Sequence, residues 1–385
     1  MPRNVMKRLQ LTTSIGLVSL VSACSPQQQT RDEGKLSILS QQQQGFATVS
    51  PQANLSFPRD HQAHEDYKVE WWYLTANLTT DSGEPLGLQW TQFRIALGTP
   101  FPPNEADLNP SQEYNTNLAS EPAANSWQTQ QLYMAHAAVT QPKQHVAAEK
   151  WSRGHPQIAG VSSTPLTIQL DNWRWQSQSE ALFPATLEVQ DQAFAYQLQL
   201  DSQSPLQLQG DAGYSIKTAN GKVASYYYSQ PFIDISGTMT LNGNTQKVHG
   251  KGWLDREWSS QFLTRSQQGW DWFALRLNDG SALMLFQLRG EKVFYSGRRM
   301  YADGRGENIS HGDIMMQVRQ WHETDQGRYP VNWRIAIASQ NIDVTIEPLN
   351  VNSAMPLSTQ YWEGPIEVRG SHQGNGYMEL TGYEK

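Results

Sequence analysis

The sequence contains one cysteine in 385 residues, Cys24, so neither an internal disulfide nor a cysteine-based metal site can form. Charge is also scarce. Asp, Glu, Lys and Arg make up 17% of the chain, and 29 basic against 36 acidic side chains leave a net −7. That balance argues against nucleic acid as a partner. Sustained 3.6-residue apolar periodicity is missing from Phe57 onwards, so low helix content is expected. There is no G-x-S-x-G elbow, no Walker loop and no dinucleotide fingerprint, so serine hydrolases, nucleotide-dependent enzymes and dehydrogenases lack their signatures. The nine histidines are scattered, and His61-x-x-His64 lies in a pre-strand loop without an HExxH pattern. No metal site and no cofactor are expected.

What is present begins with an export signal. Arg3, Lys7 and Arg8 precede a short apolar region, Leu11 to Leu20, which cannot span a bilayer alone. Val21-Ser22-Ala23-Cys24 is similar to a bacterial lipoprotein box, which implies lipidation at Cys24. Ser25, where Asp would retain a lipoprotein at the inner membrane, implies the outer membrane, periplasmic side. An ordinary cleaved signal with an incidental cysteine is the alternative. The following Gln- and Ser-rich stretch reads as a polar tether that cannot bury a core.

The rest of the chain is a succession of short strand-like runs separated by Asp, Gln, Ser, Gly and Pro, an all-β pattern of barrel or sandwich type. The length favours two domains. Fourteen Trp and fifteen Tyr suit packed barrels or pockets for apolar or ring-shaped ligands. Between the strands, Phe101 to Gln130 is a Pro/Asn/Ser-rich segment long enough to be a lid. Two hairpins share a pattern: Glu70-Trp71-Trp72 leads to Gln92-Phe93-Arg94, and Trp270-Asp271-Trp272-Phe273 leads to Gln287-Leu288-Arg289. The match suggests two barrels of one architecture.

The densest chemistry lies in Gly252-Trp253-Leu254-Asp255-Arg256-Glu257-Trp258. On a strand, Trp253, Asp255 and Glu257 share one face, while Leu254, Arg256 and Trp258 take the other. Two carboxyl groups spaced roughly 6.5–7 Å along a strand could divide acid and base roles, as in a glycan hydrolase. Alternatively, Asp255-Arg256-Glu257 forms an ion-pair lock between the barrels. Asp271, flanked by Trp270 and Trp272, would have its pKa raised if buried, or would accept hydrogen bonds at a strand start. Glu70, on the face of Trp72 and Leu74, is either aimed into a cavity or paired with a buried arginine, Arg94 being one candidate. His136, among small apolar residues, is either cavity-lining or a core histidine.

Several blocks resemble the AttH/CrtC family: Glu70-Trp71-Trp72-Tyr73, Met134-Ala135-His136-Ala137-Ala138, Trp151-Ser152-Arg153-Gly154, Gln209-Gly210-Asp211-Ala212-Gly213-Tyr214, Tyr227-Tyr228-Ser229-Gln230-Pro231, Gly252 to Trp258 and Gly269 to Leu275. The resemblance implies two lipocalin-like antiparallel β-barrels packed together, with a ligand site near their junction. It places a signal peptide at 1–24, a tether at 25–55 and barrels at 56–235 and 236–385, the second starting near the Trp253–Trp258 block. It also implies kinship with carotenoid 1,2-hydratases, although the lipoprotein signal and Trp-Leu-Asp-Arg-Glu-Trp fit the secreted AttH-type branch. Members of that branch accompany ABC-transporter permeases, which implies handling of lipids or other apolar molecules in the envelope.

The expected function is therefore a lipid-anchored envelope protein that binds a hydrophobic or amphipathic molecule. The alternatives are a cofactor-independent hydratase, isomerase or cyclase and, after it, a glycan hydrolase. In the enzymatic case Asp255 or Asp271 would protonate an alkene. Trp253, Trp258 and Trp272 would stabilise the cation, and His136 or Glu257 would take a proton from water. Glu70, Trp72, Phe273 and Arg256 complete the candidate ligand contacts. The anchor has a direct check: Cys24→Ser should move the protein from the membrane fraction to the soluble periplasmic fraction, and unchanged membrane retention would exclude a lipid anchor at this residue.

Overall fold

The structure, a computed structural model, describes residues 45–98, 129–261 and 267–383. Cys24, most of the tether and the 101–128 part of the candidate lid lie outside the described residues. Among the described residues, helix is confined to three-residue 3-10 turns, at Arg59–His61, His311–Asp313 and Ala338–Gln340, and the rest of the regular structure is antiparallel strand in two sheets.

The first sheet starts with β1 (Val69–Thr80), β2 (Pro85–Ala96), β3 (Gln131–Gln141) and β4 (Gln144–Arg153). Five shorter strands follow: β5 (Ala159–Ser163), β6 (Leu166–Leu170), β7 (Trp173–Ser177), β8 (Ala185–Gln190) and β9 (Phe194–Asp201). Two small strands, β10 (Gln207–Leu208) and β11 (Tyr214–Ile216), flank the long β12 (Ala224–Leu241), which returns as β13 (Asn244–Ser259). The spatial order β4-β3-β2-β1-β13-β12-β9-β8-β7-β6-β5 curls into a nearly closed barrel. Alternation explains the short strands: Phe194, Tyr196, Leu198 and Leu200 point inward from β9, and the intervening Gln residues face water.

The second sheet is a half-barrel. Its first strands are β14 (Gln267–Leu277), β15 (Ala282–Gly290), β16 (Phe294–Met300) and β17 (Gly306–Ile309). They are followed by β18 (Ile314–Glu323), β19 (Arg328–Ile337), β20 (Ile342–Pro348), β21 (Ala354–Met355), β22 (Tyr361–Gly370) and β23 (Gly374–Leu380). The order is β17-β16-β15-β14-β23-β22-β20-β19-β18, with β21 on β22.

Strand pairing corrects the division at 235/236. That boundary cuts β12, and β13 pairs along its length with β1 (Val69 opposite Ser259, Trp72 opposite Arg256). The Trp253–Trp258 block is therefore an interior strand of the first barrel, not the start of the second. The change of sheet falls between Ser259 and Gln267. Lying between β1 and β12, β13 has both edges bonded, which places Trp253–Trp258 in the interior of that sheet.

Among the described residues there are four apolar clusters, three of them large and a small one around Met355 and Tyr361. One fills the first barrel with Trp72, Trp90, Trp175 and Leu254, and one fills the half-barrel with Phe273, Tyr329 and Trp333. The third lies between the sheets and contains Tyr73, Trp253, Trp272, Met284 and Phe286. β1, β2, β13 and β14 are thus covered on both faces, so their alternation sorts residues between two buried environments rather than between core and water. The sheets approach closely at Gly87: a Cβ there would lie 2.5 Å from the Tyr377 hydroxyl and 2.6 Å from Pro365 Cγ.

One charged group is fixed deep inside the first barrel. The Glu70 carboxylate is fully buried and ion-paired with both Arg94 on β2 and Arg256 on β13. Burial alone would raise its pKa, but the two guanidinium groups and His64 outweigh this and hold it well below the usual range. The arginines also bind the segment before β1: Arg94 Nη2 donates to the carbonyls of His64 (2.8 Å) and Tyr67 (2.6 Å), and Arg256 Nη2 donates to that of Gln62 (2.6 Å). The Arg256 guanidinium lies 3.8 Å from the Trp72 ring centroid, and His64 stacks on Trp258 at 4.0 Å. The expected lock between barrels is instead a lock within the first barrel. Glu70→Ala leaves two buried cations unpaired and should cost about 3–5 kcal/mol, read from tryptophan fluorescence during urea unfolding. Replacing Glu70, Arg94 and Arg256 together by apolar residues should cost less than Glu70→Ala, and the reverse order would contradict this account of the triad.

Candidate functional site

A cavity of about 120 Å³ lies between the two sheets. It is comparable with the roughly 150 Å³ engineered cavity that holds benzene. Alternation puts Trp71 and Tyr73 of β1, Thr91 and Phe93 of β2, and Trp270 and Trp272 of β14 on its wall. Trp151, 42% exposed, marks the mouth together with the half-buried Trp71 and Trp270. Four carboxyl groups interrupt this aromatic lining: Asp255 and Glu257 from the first sheet, Glu363 and Glu379 from the second.

Asp255 is held by three donors. Tyr227 Oη donates to Oδ2 at 2.7 Å, Trp253 Nε1 to Oδ1 at 2.8 Å, and the Ser229 hydroxyl also to Oδ1. Burial pushes its pKa up against these donors, with help from nearby Glu257, to about 7. Glu257 accepts a hydrogen bond from Ser225 and pairs with Lys217 Nζ at 2.6 Å. That ammonium group also lies 4.6 Å from the Tyr227 ring centroid and 4.9 Å from that of Phe286.

On the opposite wall, Glu363 of β22 and Glu379 of β23 are directly opposed across the strand pair. Tyr73 Oη donates to Glu363 Oε1 at 2.6 Å, and Trp270 Nε1 donates to Glu379 Oε1 at 3.1 Å. Burial raises both: with the charge of Glu379 added, Glu363 is driven well above the carboxylate range, and with those of Asp255 and Glu257 added, Glu379 is driven to about 8 against the Trp270 donor. At neutral pH this wall carries protonated acids. His136 also lines the cavity, with Nδ1 2.9 Å from Tyr361 Oη. Burial lowers its pKa to about 4 despite Glu149 nearby, so the imidazole is neutral.

Of the residues named from the sequence, Asp255, Glu257, His136 and Trp272 come together on this wall, and Trp253 supports Asp255 from behind. Glu70, Trp72, Arg256 and Trp258 face the interior of the first barrel instead, and Phe273 faces that of the second. They are one residue out of phase with the cavity. Asp271 also points away, into the half-barrel, where Tyr383 Oη donates to it at 2.9 Å. Arg289 Nε lies 3.2 Å from Asp271 Oδ2 without the alignment of a hydrogen bond. Burial outweighs that cation and raises Asp271 to about 7. The two hairpins that matched in sequence therefore each bury an acid beside the closing arginine, Glu70 with Arg94 and Asp271 with Arg289.

Glu363, Glu379, Lys217, Tyr73 and Tyr227 were not singled out from the sequence. For Glu363 a signal existed: Tyr361-Trp362-Glu363 places an acid beside aromatics, as do the two hairpins. β22 starts at Tyr361, so alternation puts Tyr361 and Glu363 on the same face, towards the cavity.

A nearly closed barrel joined to a half-barrel, with the cavity between them, defines a two-sheet lipocalin-like protein. The chain belongs to the AttH-like family, whose model matches residues 48–383. A putative AttH from Nitrosomonas europaea is 32% identical, covering 88% of this chain and 100% of its own, with a TM-score of 0.75. Kievitone hydratase from Nectria haematococca shares the fold at 13% identity, covering 90% of this chain and 98% of its own, with a TM-score of 0.63. No curated protein matches the chain.

The raised acids carry a stability consequence. Above the ordinary aspartate value of 3.8 the unfolded chain releases protons that Asp255 and Asp271 retain up to about 7. The folded state then binds more protons, so stability falls as pH rises through that window, by at most on the order of 4 kcal/mol for each group. The penalty is absent below the window and constant above it. Asp271→Asn should flatten the dependence of the urea midpoint on pH between 4 and 7. An unchanged slope would show that Asp271 ionises normally.

Proposed function

We propose that the protein binds an apolar, unsaturated small molecule, or the branched end of a longer one, in the cavity between the sheets and adds or removes water at a double bond by acid catalysis. The observation that carries this reading is an aromatic cavity with four buried carboxyl groups on its wall. Such a wall offers a proton to carbon. The indole of Trp272 and the rings of Tyr73 and Tyr227 stabilise the resulting cation through their π faces. His136 and Glu257 are the bases on the same wall. The hydration balances within the site: an acid O–H breaks as a C–H bond forms, water adds to the cation, and its surplus proton returns to a carboxylate. The likeness of fold to a protein named as a hydratase supports this reading but does not carry it.

The size of the cavity supports a short ligand or the terminus of a long one, with the remainder leaving past Trp151. A second reading, carriage of the same molecule without turnover, is favoured by the three donors on Asp255, which suit a permanent anchor for a ligand hydroxyl. In either case the export signal and Cys24 support a lipid-anchored place in the bacterial envelope, where an ABC-transporter permease would be the partner.

Incubation with a panel of branched terminal alkenes in oxygen-labelled water should yield a labelled alcohol. Asp255→Asn should reduce its formation by about 10²–10⁴-fold, whereas Asp271→Asn, outside the cavity, should leave it intact in the folded fraction. Equal loss in both variants would contradict the site assignment, and no labelled alcohol from any member would favour carriage.

A further inference from the structure

The site holds more than one acid, and their surroundings differ in a way that separates their roles. Asp255 already accepts from three protein donors shared between its two oxygens. That arrangement suits a group that receives or holds negative charge, because donors aimed at an oxyanion stabilise it. Glu363 is the opposite case. Its Oε1 accepts from Tyr73 and the Tyr361 hydroxyl stands close enough to favour its charged form, yet Oε2, buried on the cavity wall, makes no well-aligned hydrogen bond among the described residues. A buried oxygen left without a donor is costly as a carboxylate but tolerable as an O–H facing a ligand. Directly across the strand pair stands Glu379, so both cannot ionise together cheaply.

We propose that Glu363 is the residue that delivers the proton to the bound alkene, with Asp255 as the group that steadies the developing alcohol. This rests on the reading of the cavity as a hydratase-type site and assigns its donor. In the forward step the Glu363 Oε2–H bond breaks and the alkene π electrons form a C–H bond. That leaves a carbocation under the aromatic wall and a carboxylate at Glu363. Water adds to the cation, and its extra proton returns to Glu363, so the protein ends as it began. Burial, the largest cause of its rise well above the carboxylate range, keeps the donor loaded at neutral pH.

Phenyldiazomethane tests this without knowledge of the natural substrate. It is apolar and reacts with a protonated carboxyl group in the same sense: the acid protonates its carbon, dinitrogen leaves, and the carboxylate closes a benzyl ester. The full-length protein is treated at neutral pH and the ester located by peptide mass spectrometry, with binding of the neutral dye N-phenyl-1-naphthylamine followed in parallel. The expected result is an ester on Glu363, suppressed by the dye and lost in Glu363→Gln while dye binding persists. An ester on Asp255 in place of Glu363, or no ester on Glu363 although the dye binds, overturns the assignment alone. Failure of the dye to bind at all overturns the cavity reading and the assignment with it. The mapping on unmodified protein decides the matter even if Glu363→Gln does not fold.

Discussion

The pairing of one buried carboxylate, Glu70, with two arginines from different strands sets the geometry of everything around it. Arg256 reaches Glu70 only if β13 lies against β1 in its observed register, with Trp72 opposite Arg256. Because side chains alternate, turning Arg256 into the barrel turns Asp255 and Glu257 out of it. A shift of one residue would bury the two acids under Trp72 and expel the cation. The same arginines hold the carbonyls of Gln62, His64 and Tyr67, so the segment closing the barrel end depends on the same charges. The registry that positions the site is electrostatic in origin, on a framework whose stability comes from aromatic packing.

The half-barrel repeats the device in weaker form. Asp271 has one imperfectly aligned arginine, Arg289, and the Tyr383 hydroxyl where Glu70 has two arginines and His64. The outcome differs accordingly: Glu70 is driven down and stays ionised, Asp271 is driven up to about 7. Both acids serve their own barrel. The chemistry that remains belongs to the interface, where each sheet contributes a pair of carboxyl groups to one cavity.

Much of this was legible in the sequence, and the limits have a physical cause. The all-β fold, the separation of Asp255 and Glu257 from Arg256 and Trp258, and the partnership of Glu70 with Arg94 all follow from period-two alternation and the cost of burying unpaired charge. Alternation names two faces but does not say which two compartments they meet. In a strand covered on both sides, Trp72, Trp258 and Phe273 look as suited to a ligand as Trp71 and Trp270 do, and only packing separates them. Glu363 and Glu379 were missed because their opposition across β22 and β23 is a matter of register between strands. The boundary near residue 235 failed similarly, since nothing in β13 alone says that it pairs with β1.

The central claim is that the space between the sheets is a binding site for an apolar molecule. Native mass spectrometry of the protein purified from its own envelope, compared with a Thr91→Trp variant that fills the cavity from β2, tests it most directly. The account predicts an apolar molecule retained at one copy per chain in the unaltered protein and absent from the folded variant. An empty chain in both, or equal occupancy in both, would contradict it.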